Sequence, residues 1–119
     1  MESNPNLENV EVSERPKNTT IQGQILNVIK GTRQELYDLD DDHEPKYGSL
    51  DDERLQLEIE VEYQGSTITV YEDMSFYENP SDRSMFGQFI NRYGTPQTDL
   101  EVEVTFDHEG NAQVVGIRD

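Results

Sequence analysis

The 119-residue chain has no cysteine, only two histidines and three lysines, and no long apolar run. Without cysteine there is no disulfide framework and no thiolate metal site, a composition compatible with a reducing cytoplasm. No stretch approaches the ~18 apolar residues needed to span a bilayer, and the acidic, polar start lacks the charged-then-apolar layout of a signal peptide. The expectation is a soluble, cytoplasmic protein without membrane contact. A nucleophile with its base, a phosphate-cradling glycine loop and a cluster of histidines and carboxylates at metal spacing are missing too. His43 sits in an acidic stretch and His108 in a turn, each without a companion, and both read as solvated surface side chains. Neither catalysis nor a cofactor is expected.

What the chain has in excess is negative charge: 26 acidic against 9 basic residues give a net charge of −17. Three causes compete for this acidity, namely adaptation to molar salt, mimicry of nucleic acid, and self-repulsion that keeps a small domain soluble. Lysine occurs only as Lys17, Lys30 and Lys46, whereas arginine occurs as Arg15, Arg33, Arg54, Arg83, Arg92 and Arg118. Scarce lysine beside abundant Asp, Glu and Thr resembles the composition of proteins from halophilic archaea. That resemblance implies surface carboxylates that hold hydrated cations.

The length allows one domain. Residues 1–18, rich in Glu, Asn, Ser and Pro, read as a flexible tail, which leaves 19–119 as the folding unit. The one convincing helix runs from Ser84 to Gly94. Met85, Phe86, Phe89, Ile90 and Tyr93 recur on one face, Ser84 suits the N-cap, Gly94 a left-handed stop, and Pro96 forbids continuation. Its aromatics read as core, packed as a plug against the surrounding strands.

Those strands are legible by alternation. Thr19 to Lys30 reads as a long first strand. Ile21, Gly23 and Ile25 share one face while Leu26 and Val28 fall on the other, so a bend or bulge is expected near its middle. Leu55 to Tyr63 alternates without error, and a two-residue turn at Gln64-Gly65 leads into Ser66 to Tyr71. The turn fixes the register, with Val61 opposite Ile68, Ile59 opposite Val70, and Glu62, Glu60 and Glu58 opposite Thr67, Thr69 and Tyr71. Leu100 to Phe106 alternates again, and His108-Glu109-Gly110 turns it into a last strand from Ala112 to Ile117. That strand carries Val115 and Ile117 on its second face, which calls for cover from the tail around Val10 and Val12 or from a partner chain.

Long bent strand, long loop, hairpin, helix, hairpin: this order resembles the OB-fold, a five-stranded Greek-key barrel closed at one end by a helix between strands 3 and 4. The fold class expected is therefore all-β with one helix. The resemblance covers residues 19 to 117 and rests on order and spacing. It implies a ligand face on the outside of strands 2 and 3, at Gln56, Glu58, Glu60, Glu62, Thr67, Thr69 and Tyr71, flanked by the loop 31–53 and by His108 to Asn111. Three glutamates stand where a nucleic-acid face would be basic, and at ordinary salt they repel phosphate.

The loop 31–53 is long and acidic, with Asp38-Leu39-Asp40-Asp41-Asp42 and Asp51-Asp52-Glu53. The run from Asp38 to Glu44 offers alternate oxygens as a calcium loop would, but His43 occupies the glycine position and Ser49 that of the bidentate glutamate. Weak cation condensation is expected there instead. One constellation favours single-stranded nucleic acid: Lys30, Arg33, Lys46 and Arg54 punctuate or border the loop, Tyr37 and Tyr47 lie within it, and Tyr71, with Thr67 and Thr69, faces outward nearby. Aromatic rings beside cations hold single strands by stacking and steering. The expected function is a noncatalytic binding module for single-stranded nucleic acid in high salt. Its rivals are a protein-interaction module, using the acidic face or docking and self-association through Val115 and Ile117, and a nucleic-acid mimic.

Overall fold

The computed structural model describes residues 15–118. The expected cover from Val10 and Val12 lies outside them. Five strands, β1 (Thr19–Thr32), β2 (Glu53–Tyr63), β3 (Ser66–Ser75), β4 (Glu101–Phe106) and β5 (Ala112–Val114), form one antiparallel sheet in the order β3-β2-β1-β4-β5. The sheet curls into a half-barrel. A nine-residue helix, Met85–Tyr93, stands between β3 and β4, and the expected loop opens with a helical turn, α1 (Arg33–Tyr37), so the longer helix is α2. This is the expected all-β class, five strands with one longer helix between the third and fourth. The two edge strands, β3 and β5, lie side by side with no ladder between them; the Val114 N–H donates instead to the Glu72 carboxylate at 3.2 Å.

The β2–β3 register is the one the turn dictates, from Glu58 opposite Tyr71 through Val61 opposite Ile68 to Tyr63 opposite Ser66. Gln64 and Gly65 both have positive φ, 51° and 80°, the backbone that matches a two-residue connection to the strand twist. In β1 the pairing slips by one residue between Ile25 and Asn27. The extra residue, Leu26, lets Ile21 and Ile25 before it and Val28 after it all reach the core side, which resolves the change of phase. Leu55, Leu57, Ile59, Val61, Val102, Val104 and Phe106 fill the concave face, each 5 % exposed or less. Burial of side chains of this size contributes roughly 1.5–3 kcal/mol apiece.

α2 closes one end of this core. The Ser84 hydroxyl accepts from the Gly87 N–H at 3.0 Å, and Phe86 and Phe89 are buried. Phe86 meets Phe76 at 5.3 Å between ring centroids and Phe89 meets Tyr93 at 5.1 Å. Gly94 ends the helix with positive φ but extended ψ, 93° and −171°, so the stop needs glycine without being the expected left-handed turn.

The last strand is shorter than expected. β5 ends at Val114, and Gly116 at φ 92° turns the chain beneath α2, where Gln88 exchanges two hydrogen bonds with the Arg118 backbone. Ile117 is thereby 2 % exposed and part of the core, and the Val115 carbonyl accepts from the Tyr93 hydroxyl at 2.8 Å. Ile117 is therefore core rather than part of the expected docking or self-association surface, while Val115 stays half-buried.

Candidate functional site

The outer face of β2 and β3 carries what the register assigns to it. Gln56, Glu58, Glu60 and Glu62 alternate with the buried leucines, isoleucine and valine of β2, and Thr67, Thr69, Tyr71 and Asp73 stand opposite them. β1 and β4 continue the surface: Gln24 pairs with both Glu60 and Glu101, and Gln22 with Glu103. Amide side chains bridge some of the carboxylates, Asn27 Nδ2 to Glu58 at 2.8 Å and Gln22 Nε2 to Glu101 at 2.6 Å. A shallow groove of about 300 Å3 runs between Gln22, Gln24, Glu60, Glu62 and Glu101. Tyr71 stands on this face 59 % exposed.

The cations expected to gather around Tyr71 do not. Each lies elsewhere, for four separate reasons. Lys30 falls opposite Leu55 on the core side, so its ammonium lies 4.0 Å from the centre of the Phe76 ring, with Glu53 at 3.9 Å. Arg33, at the start of α1, reaches back across the loop to Asp52 at 3.3 Å and to the Ser49 carbonyl at 3.1 Å. Arg54 bonds the Ser75 hydroxyl at 3.1 Å, at the far end of β3. Lys46 lies 5.7 Å from the ring of its neighbour Tyr47, which is 73 % exposed. Tyr37 is spent on structure: its hydroxyl donates to Asp73 at 2.7 Å and fastens α1 to the sheet. Partial burial, with the adjacent Asp73 carboxylate, raises the pKa of this phenol. The expected set therefore splits into an acidic face with one free ring, Tyr71, and a loop with another, Tyr47.

α1 was legible. Thr32-Arg33-Gln34-Glu35 is a capping box, with the Glu35 N–H donating to the Thr32 hydroxyl at 3.2 Å and the Thr32 N–H to the Glu35 carboxylate at 2.9 Å. Loop 107–111 is held by Asp107, whose Oδ1 accepts from the Glu109 and Asn111 amides at 2.8 and 2.9 Å. Those bonds, first of all the one from Asn111, keep the Asp107 carboxyl below the usual range. A depressed native pKa stabilises the fold above the ordinary aspartate value near ~3.9, and the contribution is lost as pH falls through the native pKa. The thermal midpoint of the parent should therefore exceed that of Asp107→Asn at pH 6, with the gap closing toward pH 3; a gap independent of pH would assign the loop's order to something other than this charge.

No grouping of His, Cys, Asp or Glu among the described residues is disposed to hold a metal ion, and no helix among them is long and apolar enough to cross a membrane. No family model, no curated protein and no solved structure matches the chain. The class to which it belongs is thus defined by its own architecture, an antiparallel half-barrel that presents a carboxylate-lined sheet face.

Proposed function

We propose that the chain is a noncatalytic OB-like binding module of a high-salt cytoplasm, whose outer sheet face takes a lysine- or arginine-rich segment of a protein partner. The observation that carries this reading is the position of Tyr71: exposed, directly across from Glu58, on a face otherwise populated by glutamates. A guanidinium laid on that ring meets a π face and a carboxylate together, an interaction worth about 0.5–2 kcal/mol from the ring alone, depending on desolvation. Membership of the OB-fold class would make this the face such modules use. The scarcity of lysine and the density of carboxylates support the high-salt setting.

Single-stranded nucleic acid is the second reading. Two free rings, Tyr71 and Tyr47, favour it, the latter beside Lys46, since stacking survives in molar salt where charge is screened. One titration separates the two. A fluorescent arginine-rich peptide and a labelled oligothymidine are each added to parent, Tyr71→Ala, Glu58→Gln and Arg54→Ala protein at 0.5 and 2 M KCl. The first reading expects the peptide to bind and to weaken on both Tyr71→Ala and Glu58→Gln, with Arg54→Ala unchanged. Oligothymidine binding that loses about 1–3 kcal/mol on Tyr71→Ala would establish the second instead. If neither probe binds, or binding ignores Tyr71, this face is not the site.

A further inference from the structure

A cleft of about 610 Å3 opens where the half-barrel leaves β3 and β5 unjoined. Arg54, Arg83 and Tyr77 line it, over Ser84 and Met85 at the start of α2, with Gln113 on the β5 side. In a chain with 26 acidic and 9 basic residues, arginine is expected to find a carboxylate, and Arg33 and Arg92 do. Among the described residues Arg15, Arg54, Arg83 and Arg118 make no ion pair, and of these Arg54 and Arg83 share the cleft. Arg54 gives one N–H to the Ser75 hydroxyl and lies beside the Tyr37 hydroxyl, while its Nε is cut off from solvent with no acceptor, and among the described residues Arg83 bonds only through its backbone.

The carboxylates in the same cleft are committed elsewhere. Glu72 accepts from the Val114 N–H across the seam, and Asp73 Oδ2 accepts from the Tyr37 hydroxyl, its Oδ1 being buried without a partner. The cleft thus offers two guanidiniums without ion pairs among the described residues and a half-exposed aromatic ring, Tyr77, at its rim. Guanidinium forks match the oxygens of a phosphate, and a tyrosine face takes a planar ring. The volume lies within the range of small-ligand pockets, roughly 300–1,000 Å3.

We propose that this seam cleft binds a small aromatic anion of the nucleoside monophosphate type, with its phosphate on Arg54 and Arg83 and its base against Tyr77. The cleft meets the sheet face at Asp73 but includes none of Tyr71, Glu58, Glu60 and Glu62, so it stands whether or not that face binds a peptide. The protein's overall charge opposes a dianion at low salt, but at 1 M salt the Debye length is about 3 Å and only the charges lining the cleft act, the two guanidiniums against Glu72 and Asp73.

The test is a titration followed by amide NMR and tyrosine fluorescence in 1 M KCl, with AMP, inorganic phosphate and adenosine as separate ligands. AMP should shift the Met85 and Phe86 amides, quench tyrosine emission and bind at least tenfold more tightly than either phosphate or adenosine. Arg83→Gln, an exposed side chain with no structural bond to lose, should weaken AMP at least tenfold. Tyr77→Ala should bring AMP to the level of phosphate. Arg54→Gln should act like Arg83→Gln, its fold checked by the amide spectrum. Unchanged AMP affinity in Arg83→Gln, equal affinity for phosphate and AMP, or no saturation by about 20 mM, twenty times a 1 mM Kd, would each overturn the proposal.

Discussion

Phe89→Ala should destabilise the chain by about 3–5 kcal/mol, the usual result of emptying a fully buried phenylalanine site. Phe89 is 0 % exposed, stands on the inner side of α2 and stacks at 5.1 Å on Tyr93, whose hydroxyl in turn fixes the Val115 carbonyl. The truncation therefore empties a space and also loosens the contact by which α2 holds the segment after β5. A domain of about 100 residues has roughly 5–15 kcal/mol of stability, so the loss is a large fraction of it. With a urea slope of about 1–2 kcal/mol per molar, the unfolding midpoint should drop by about 1.5 M or more. Tyr71→Ala is the natural control, because an exposed side chain away from such features costs within about 0.5 kcal/mol. Equal midpoints for parent and Phe89→Ala would mean that α2 does not plug the half-barrel.

What could be read from the chain divides along sequence distance. The β2–β3 register was legible because a two-residue turn and an unbroken alternation leave one solution. The bulge at Leu26 was legible as a change of phase, and α2 from its cap and stripe. The ends of elements were less so. β3 continues through Glu72, Asp73, Met74 and Ser75, and β1 through Gly31 and Thr32, because the partner strand β2 supplies ladder bonds where the residues show no apolar alternation. The binding residues fared worst, since the fate of a charged side chain depends on what the fold brings near. Lys30 meets Phe76 only because β1 and the end of β3 close the same end of the barrel, and Arg33 meets Asp52 only because the loop returns. The seam cleft joins Arg54, Arg83 and Gln113 from three distant segments, and the one local sign was an arginine directly before the Ser84 cap.

On the high-salt reading, the thermal midpoint should keep rising between about 0.3 and 2 M KCl, by about 10 °C, equivalent to about 2 kcal/mol in a domain of this size. Glu58, Glu60 and Glu62 lie on one face of β2, so successive carboxylates are about 7 Å apart along the strand. The Debye length is about 10 Å at 0.1 M salt and about 3 Å at 1 M, so their mutual repulsion is largely gone soon after physiological salt is passed. A rise that continues beyond that point requires carboxylates that take up hydrated potassium in the folded state, which is stabilisation by mass action on a ligand that the unfolded chain binds less well. The variant Glu58→Gln/Glu60→Gln/Glu62→Gln separates the two effects. If repulsion alone is at work, the variant is more stable than the parent at 0.1 M KCl and equal to it above 0.3 M. If the face holds cations, the variant loses part of the rise above 0.3 M and falls below the parent at 2 M. A parent midpoint that levels off by about 0.3 M would remove the high-salt explanation of the acidity, and a surface of fixed negative charge that stands in for nucleic acid would then account better for the glutamates of β2.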